Sequence, residues 1–201
     1  MDNVHEVECR RAHSHSGSRS PSPEAPALRP EVADHGARIV FYHRDEPFFE
    51  FTNFAQSPIQ WNGHWYPTAE HLFQAHKFMS TQPELAERIR HLPSARAARE
   101  EARRYRRFQR TDWFDVNVSI MEKILEAKFT QHPRLRDTLL GTADSMLIEG
   151  SPVDSFWGSG ADGQGRNELG KALMRLRDEL RRAHHLRASR DLYSQLSSEH
   201  L

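Results

Sequence analysis

A chain of 201 residues has room for one domain and a tail, and its 28 basic and 28 acidic side chains balance, so it has no bulk charge for binding a polyanion. Its single cysteine, Cys9, excludes an internal disulfide framework and any cysteine-based zinc cluster, and no apolar run approaches the ~18–20 residues of a membrane span. Residues 1–19 contain no apolar stretch of secretory type, so the composition describes a soluble, reduced, intracellular protein, cytoplasmic or nuclear.

Residues 1–37 read as a disordered tail, because Ser14 to Pro23 has nothing to bury, and the acids Glu6, Glu8 and Glu24 argue against a transit peptide. Composition changes at Arg38-Ile39-Val40-Phe41-Tyr42, a β-branched and aromatic run that predicts a strand. An aromatic cluster, Phe48 to Phe54, comes next. Asn62-Gly63, set between Ile59-Gln60-Trp61 and His64-Trp65-Tyr66, predicts a hairpin. Thr68 caps a helix to Met79, Pro83 opens one to Arg90, and Ser94 caps one to Arg107. A fourth helix opens at Asp112 or Asp115 and ends at Pro133, a fifth runs from Pro133 to Leu140, and the last spans Asn167 to His184. Met146-Leu147-Ile148 competes as a strand. The expected fold is mainly α, an α+β domain with a minor β element over residues 38–184, followed by a weakly ordered tail over 185–201.

Three features do not fit a plain helical core. In the fourth helix Lys128, with Asn117 and Gln131, falls inside the apolar arc of the helical wheel, where a lysine is costly unless paired. It either snorkels past the helix end, joins a core ion pair, or has a function. In the first helix Glu70, Gln74 and Lys77 stand at i, i+4 and i+7 on one stripe, opposite Leu72, Ala75, Phe78 and Met79. The stripe is either an ordinary solvated face or a catalytic one. The segment Trp157 to Asn167 places Gly158, Gly160, Gly163 and Gly165 before an Asn-capped helix, an arrangement suited to cradling an anion or simply to holding Trp157 on the core. Arg88 to Arg110 is a basic segment, a solvated face from which one or two arginines can reach a phosphate. His71 and His76 are five apart and share no face, so no metal site is expected.

In chain order these segments resemble the NADAR or YbiA-like N-glycosidase family. The likeness is carried by Phe51-Thr52-Asn53-Phe54, by Trp65-Tyr66-Pro67-Thr68-Ala69-Glu70-His71 through Lys77-Phe78, by Asp112-Trp113, Ala127-Lys128-Phe129 and Leu147-Ile148-Glu149, and by Asp154-Ser155-Phe156-Trp157-Gly158 and Gly165 to Met174. It covers residues 39–182 and is loose only from Leu92 to Arg110. The resemblance implies a compact helical domain that cleaves the C–N bond between a ribose-type sugar and a base, with no cofactor and no metal. It implies a phosphorylated ribosyl–base substrate, either a riboflavin-pathway intermediate or ADP-ribosylated guanine in nucleic acid, with no membrane and no obligate protein partner.

Glycosidic cleavage passes through an oxocarbenium-like transition state and needs a proton donor for the leaving base and a group to meet C1. Within the resemblance Glu70 is the first carboxylate, with Glu149 and Asp154 next. A neutral lysine can attack C1 and form a Schiff base, Lys77 being preferred and Lys128 the other candidate. Trp113 and Trp157 are expected to stack on the base or ring, Asn53 and Phe54 to meet the sugar, and Gly158, Gly160, Gly163, Gly165 and Asn167 to hold the phosphate end. The alternatives are direct attack by water activated at Glu70, a non-catalytic ADP-ribose or nucleotide-binding module, and a nucleic-acid-binding protein using Arg88 to Arg110.

Overall fold

The computed structural model describes residues 36–198. The tail read over residues 1–37 lies, apart from its last two positions, outside the described residues.

Two small sheets flank a helical body. Strand β1 (Arg38–Phe41) pairs in parallel with β4 (Met146–Glu149), in the register Arg38↔Met146 to Phe41↔Glu149. Strands β2 (Ile59–Trp61) and β3 (His64–Tyr66) form the antiparallel hairpin that Asn62-Gly63 predicts. Both turn residues have positive φ, 49° and 81°, which a two-residue turn of this hand requires. The expected single β element at the domain entry is therefore two elements. The first strand finds its partner at the far end of the chain, a pairing that no local pattern encodes.

Helix α1 (Ala69–His76) is the centre of the body and packs on α2 (Pro83–Arg90), α3 (Ala95–Arg104) and α4 (Trp113–Gln131). Helix α5 (Pro133–Gly141) follows at the proline, and α6 (Glu168–Ser198) closes the domain against α4 and β4. The Thr68 and Ser94 hydroxyls accept N–H bonds from His71 and Ala97, so both caps stand as read. Helix α1 ends three residues before the expected Met79, and α3 ends at Arg104 with a 3-10 turn over Arg106–Phe108. The final helix does not stop at His184 but continues through the expected weakly ordered tail to Ser198. Residues 185–198 contain no glycine or proline, and Leu186, Leu192 and Leu196 with Arg187 and Arg190 are good helix formers, so nothing local stops the helix. No described helix is long and apolar enough to cross a membrane.

The core joins Phe41, Phe51 and Phe129, whose rings meet at 5.7–5.8 Å, to Leu72, Phe78, Ile124, Leu125 and Leu173. Because α1 is surrounded, its polar stripe is buried as well. His71 is 0% exposed, Gln74 4% and Glu70 5%, which overturns the reading of that stripe as a solvated face. His71 is fully matched there, bonded to the Thr68 hydroxyl at 2.8 Å and the Leu92 carbonyl oxygen at 3.1 Å, and it ties α1 to the α2–α3 turn.

Candidate active site

A carboxylate taken out of water must be partnered or protonated. Glu70 stands in the first turn of α1, where its backbone N–H bonds the Asn53 carbonyl oxygen at 3.0 Å, joining the loop after β1 to the helix start. Gln74, one turn on, donates its side-chain N–H to Glu70 Oε1 at 2.7 Å. Burial raises the Glu70 carboxyl above the ordinary carboxylate range, while Gln74, then Lys77 and Arg99, pull it back.

Lys77 follows the last turn of α1 as its C-cap, with nearly helical backbone, so the stripe persists beyond the helix proper. Its ammonium lies 5.3 Å from the Trp113 ring centre and 5.8 Å from that of Phe73. Burial lowers its basicity; the charge of Glu70 opposes this, and Arg106 and Arg99 add to it. The apolar surround that a neutral lysine needs thus comes from Phe73 and Trp113. Trp157 meets the same Phe73 edge-on at 5.3 Å, so three aromatic rings floor the site.

Glu149 stands at the end of β4, within reach of the charge of Glu70. Its carboxyl is pushed up to about 7, first by burial and then by the charges of Asp154 and Glu70, with Arg99 opposing. The loop after β4 comes so close that a Cβ on Gly158 would stand 2.8 Å from Glu149 Oε2, so only glycine leaves that carboxyl in place. Asp154 is otherwise engaged: its Oδ1 accepts the N–H groups of Phe156 (3.0 Å) and Trp157 (2.8 Å). It shapes the loop and acts on its neighbours through its charge.

Lys128 is fully buried, at 0% exposure. Its amine donates to the carbonyl oxygens of Glu50 (2.6 Å) and Thr52 (2.8 Å), and burial pulls it down to about 7 despite the opposing charge of Glu50. A neutral amine has two N–H bonds, and both are matched here. These two bonds fasten the chain segment that presents Asn53. Gln131, placed in the same arc, is exposed and pairs through its amide with both backbone groups of Gln60 on β2.

The anion cradle expected of the glycine loop also needs correction. Its N–H groups are engaged within the loop: Gly158 to Asp154, Gly160 to Ser151, Gly165 to Ser159, Asn167 to Gly158, and Glu168 and Leu169 to Phe156 and Trp157. Asn167, at φ 52°, does not cap α6 with its side chain, which instead clasps β4, accepting from the Glu149 N–H and donating to the Leu147 carbonyl. The loop is a brace that fixes Glu149 and Trp157. Gly160 and Gly163 serve its left-handed turns at φ 69° and 72°. The cation facing the site is instead Arg99 of α3, over the Phe54 ring at 5.9 Å, whose charge is felt by Glu70, Lys77 and Glu149 together. The sequence showed Arg99 only as one arginine among many in a basic run. Among the described residues no group of three His, Cys, Asp or Glu side chains is arranged to hold a metal ion.

This helical body with its two small sheets agrees with what comparison finds. The NADAR domain family model matches residues 40–181, and the chain belongs to that family. It is 41% identical over 142 residues to the N-glycosidase YbiA of Escherichia coli, covering 71% of this chain and 88% of that protein. It is 40% identical over 147 residues to an N-glycosidase of Nostoc punctiforme, covering 71% and 92%. A maize chloroplastic protein named riboflavin biosynthesis protein PYRR is 38% identical over 171 residues, of which this chain spans only 27%. The solution structure of E. coli YbiA superposes with a TM-score of 0.71 at 38% identity, covering 78% of this chain and 92% of that one. The activity that goes with this family membership is that of an N-glycosidase, a hydrolase of N-glycosyl compounds.

Proposed function

We propose that Glu70, Lys77 and Glu149 carry the cleavage, and that the substrate is a phosphorylated ribosyl–base compound. The observation that carries this reading is that the charge of Glu70 acts on both Lys77 and Glu149, beside the Phe73, Trp113 and Trp157 rings. The neutral Lys77 amine attacks C1 of the sugar. The bond from C1 to the base nitrogen breaks, the electron pair leaves with the base, and Glu149 supplies the proton that the base needs. Glu70 accepts the proton that the lysine nitrogen sheds and returns it to the ring oxygen as the sugar opens to an imine. Water adds to that imine, the C–N bond to Lys77 breaks, and the free sugar departs. The net change is addition of one water across the glycosidic bond. Arg99 takes the part first given to the glycine loop, balancing the phosphate.

A small flavin-pathway intermediate is favoured over ADP-ribosylated nucleic acid by the names of the maize relative and of a Vibrio vulnificus relative, both riboflavin biosynthesis proteins. A non-catalytic nucleotide-binding module would gain nothing from burying Glu70 and from half-burying Glu149 and Lys77 beside it, where partial loss of water costs stability. The test is release of free base, followed by mass spectrometry, from phosphorylated pyrimidine intermediates of flavin synthesis, NAD and ADP-ribosylated DNA. Turnover of the first that disappears in Glu70→Gln supports the reading, and turnover confined to ADP-ribosylated DNA overturns its substrate half.

A further inference from the structure

Three carboxamide oxygens beside the site, Asn53 Oδ1, Gln74 Oε1 and Asn117 Oδ1, are buried and have no hydrogen-bond partner among the described residues. They belong to three different elements that meet there. Asn53 abuts Glu70 through its backbone and reaches across to α4, where its amide N–H contacts Met121 Sδ at 3.3 Å. Asn117 lies one turn before Met121 on α4 and one turn after Trp113, the ring beneath Lys77. Gln74 lies on α1, which packs on this helix, with its N–H group engaged by Glu70 and its oxygen unmatched. The wall running from Asn53 to Trp113 is thus lined with acceptors that lack donors.

A buried acceptor without a donor is costly, and one such atom can be a local imperfection. Three on the elements that carry Glu70, Trp113 and the Asn53 loop describe the complement of a ligand rich in O–H groups. Resting on the Glu70–Lys77 reading, we propose that Asn53, Gln74 and Asn117 read the hydroxyls of the substrate's sugar and select a ribosyl over a 2-deoxyribosyl group. A site built to bond a hydroxyl rejects an analogue lacking it, because its own polar groups are then left unpaired. The same oxygens hold the sugar against rotation while C1 stands between Lys77 and Glu149.

The test is calorimetric titration of the full chain with ribose 5-phosphate and 2-deoxyribose 5-phosphate. The expected result is about tenfold tighter binding of the ribose compound, the value of one good hydrogen bond. Asn117→Leu should reduce that preference toward unity by weakening ribose binding alone. If Asn117→Leu does not fold by circular dichroism, Gln74→Met gives the same reading. Equal affinity for the two sugars, binding of neither at millimolar concentration, or a preference that survives both substitutions overturns the proposal. Failure of the underlying site shows separately, as turnover that persists in Glu70→Gln and Lys77→Ala.

Discussion

The buried Lys128 and the half-buried Lys77 answer the same cost in opposite ways. Both lose basicity to burial, and in both a nearby carboxylate pulls the other way. Lys128 has its amine fastened to the Glu50 and Thr52 carbonyl oxygens, deep among Phe51 and Phe129. Lys77 rests on the faces of Phe73 and Trp113, half-buried, with Glu70 two turns back on the same stripe. Desolvation is therefore no signature of catalysis by itself. On the proposed reading, what sets Lys77 apart is an amine that rests on aromatic rings rather than on backbone acceptors, with the Glu70 carboxyl acting on it.

The largest consequence concerns Lys77. Replacing it with alanine should lower the single-turnover rate by about 10³-fold or more while the melting temperature barely moves, since only ring contacts and no backbone bonds are lost. An unchanged rate would merge the two lysines into one class. Lys128→Ala should do the reverse. It leaves a cavity and two carbonyl oxygens without donors, so about 3 kcal/mol of stability and roughly 10 °C in Tm should go, with kcat of the folded fraction within a few-fold of the parent.

The pH dependence sharpens the contrast. The Lys128 amine sits at about 7 in the fold and at its ordinary 10.5 in the unfolded chain. Between those values the unfolded chain holds more protons, so this group makes stability rise with pH from about 7 to 10.5, and Lys128→Met should remove that rise from denaturant titrations. Glu149 works the other way. Its carboxyl is raised from 4.5 to about 7, so the fold holds the extra proton and stability falls as pH rises through that window. Its rate effect is a loss of activity as pH climbs past about 7, when the proton for the leaving base is gone. Glu149→Gln should slow turnover about 10–100-fold and erase that alkaline limb. The smallest effect is Thr68→Ala, which removes the α1 cap under Glu70 and should cost about 1 kcal/mol with only a slight rise in KM.

How much of this was legible depends on how local the signal is. Thr68, Ser94, Pro133 and Asn62-Gly63 act within a turn, and their elements stand where the sequence places them. The Glu70–Lys77 stripe was visible as a spacing, yet its burial was not, because that depends on three other helices enclosing α1. Lys128 was visible as a misfit on its wheel, but its acceptors lie 76 and 78 residues away. Glu149 and Arg99 are brought to the site by β1–β4 pairing and by the packing of α3 on α1, contacts without any periodic trace. The glycine loop misled for a related reason. Glycine density marks a close backbone approach, and here the backbone approaches Glu149 and its own turns.

The central claim, that Lys77 and not Lys128 is the nucleophile, is tested most directly by adding borohydride during turnover and mapping the product by peptide mass spectrometry. The account predicts a single adduct, of the mass of the substrate's ribosyl part after reduction, on the peptide bearing Lys77, absent in Lys77→Ala and formed more slowly in Glu70→Gln. An adduct on Lys128, or none at all while free base is released rapidly, would contradict it.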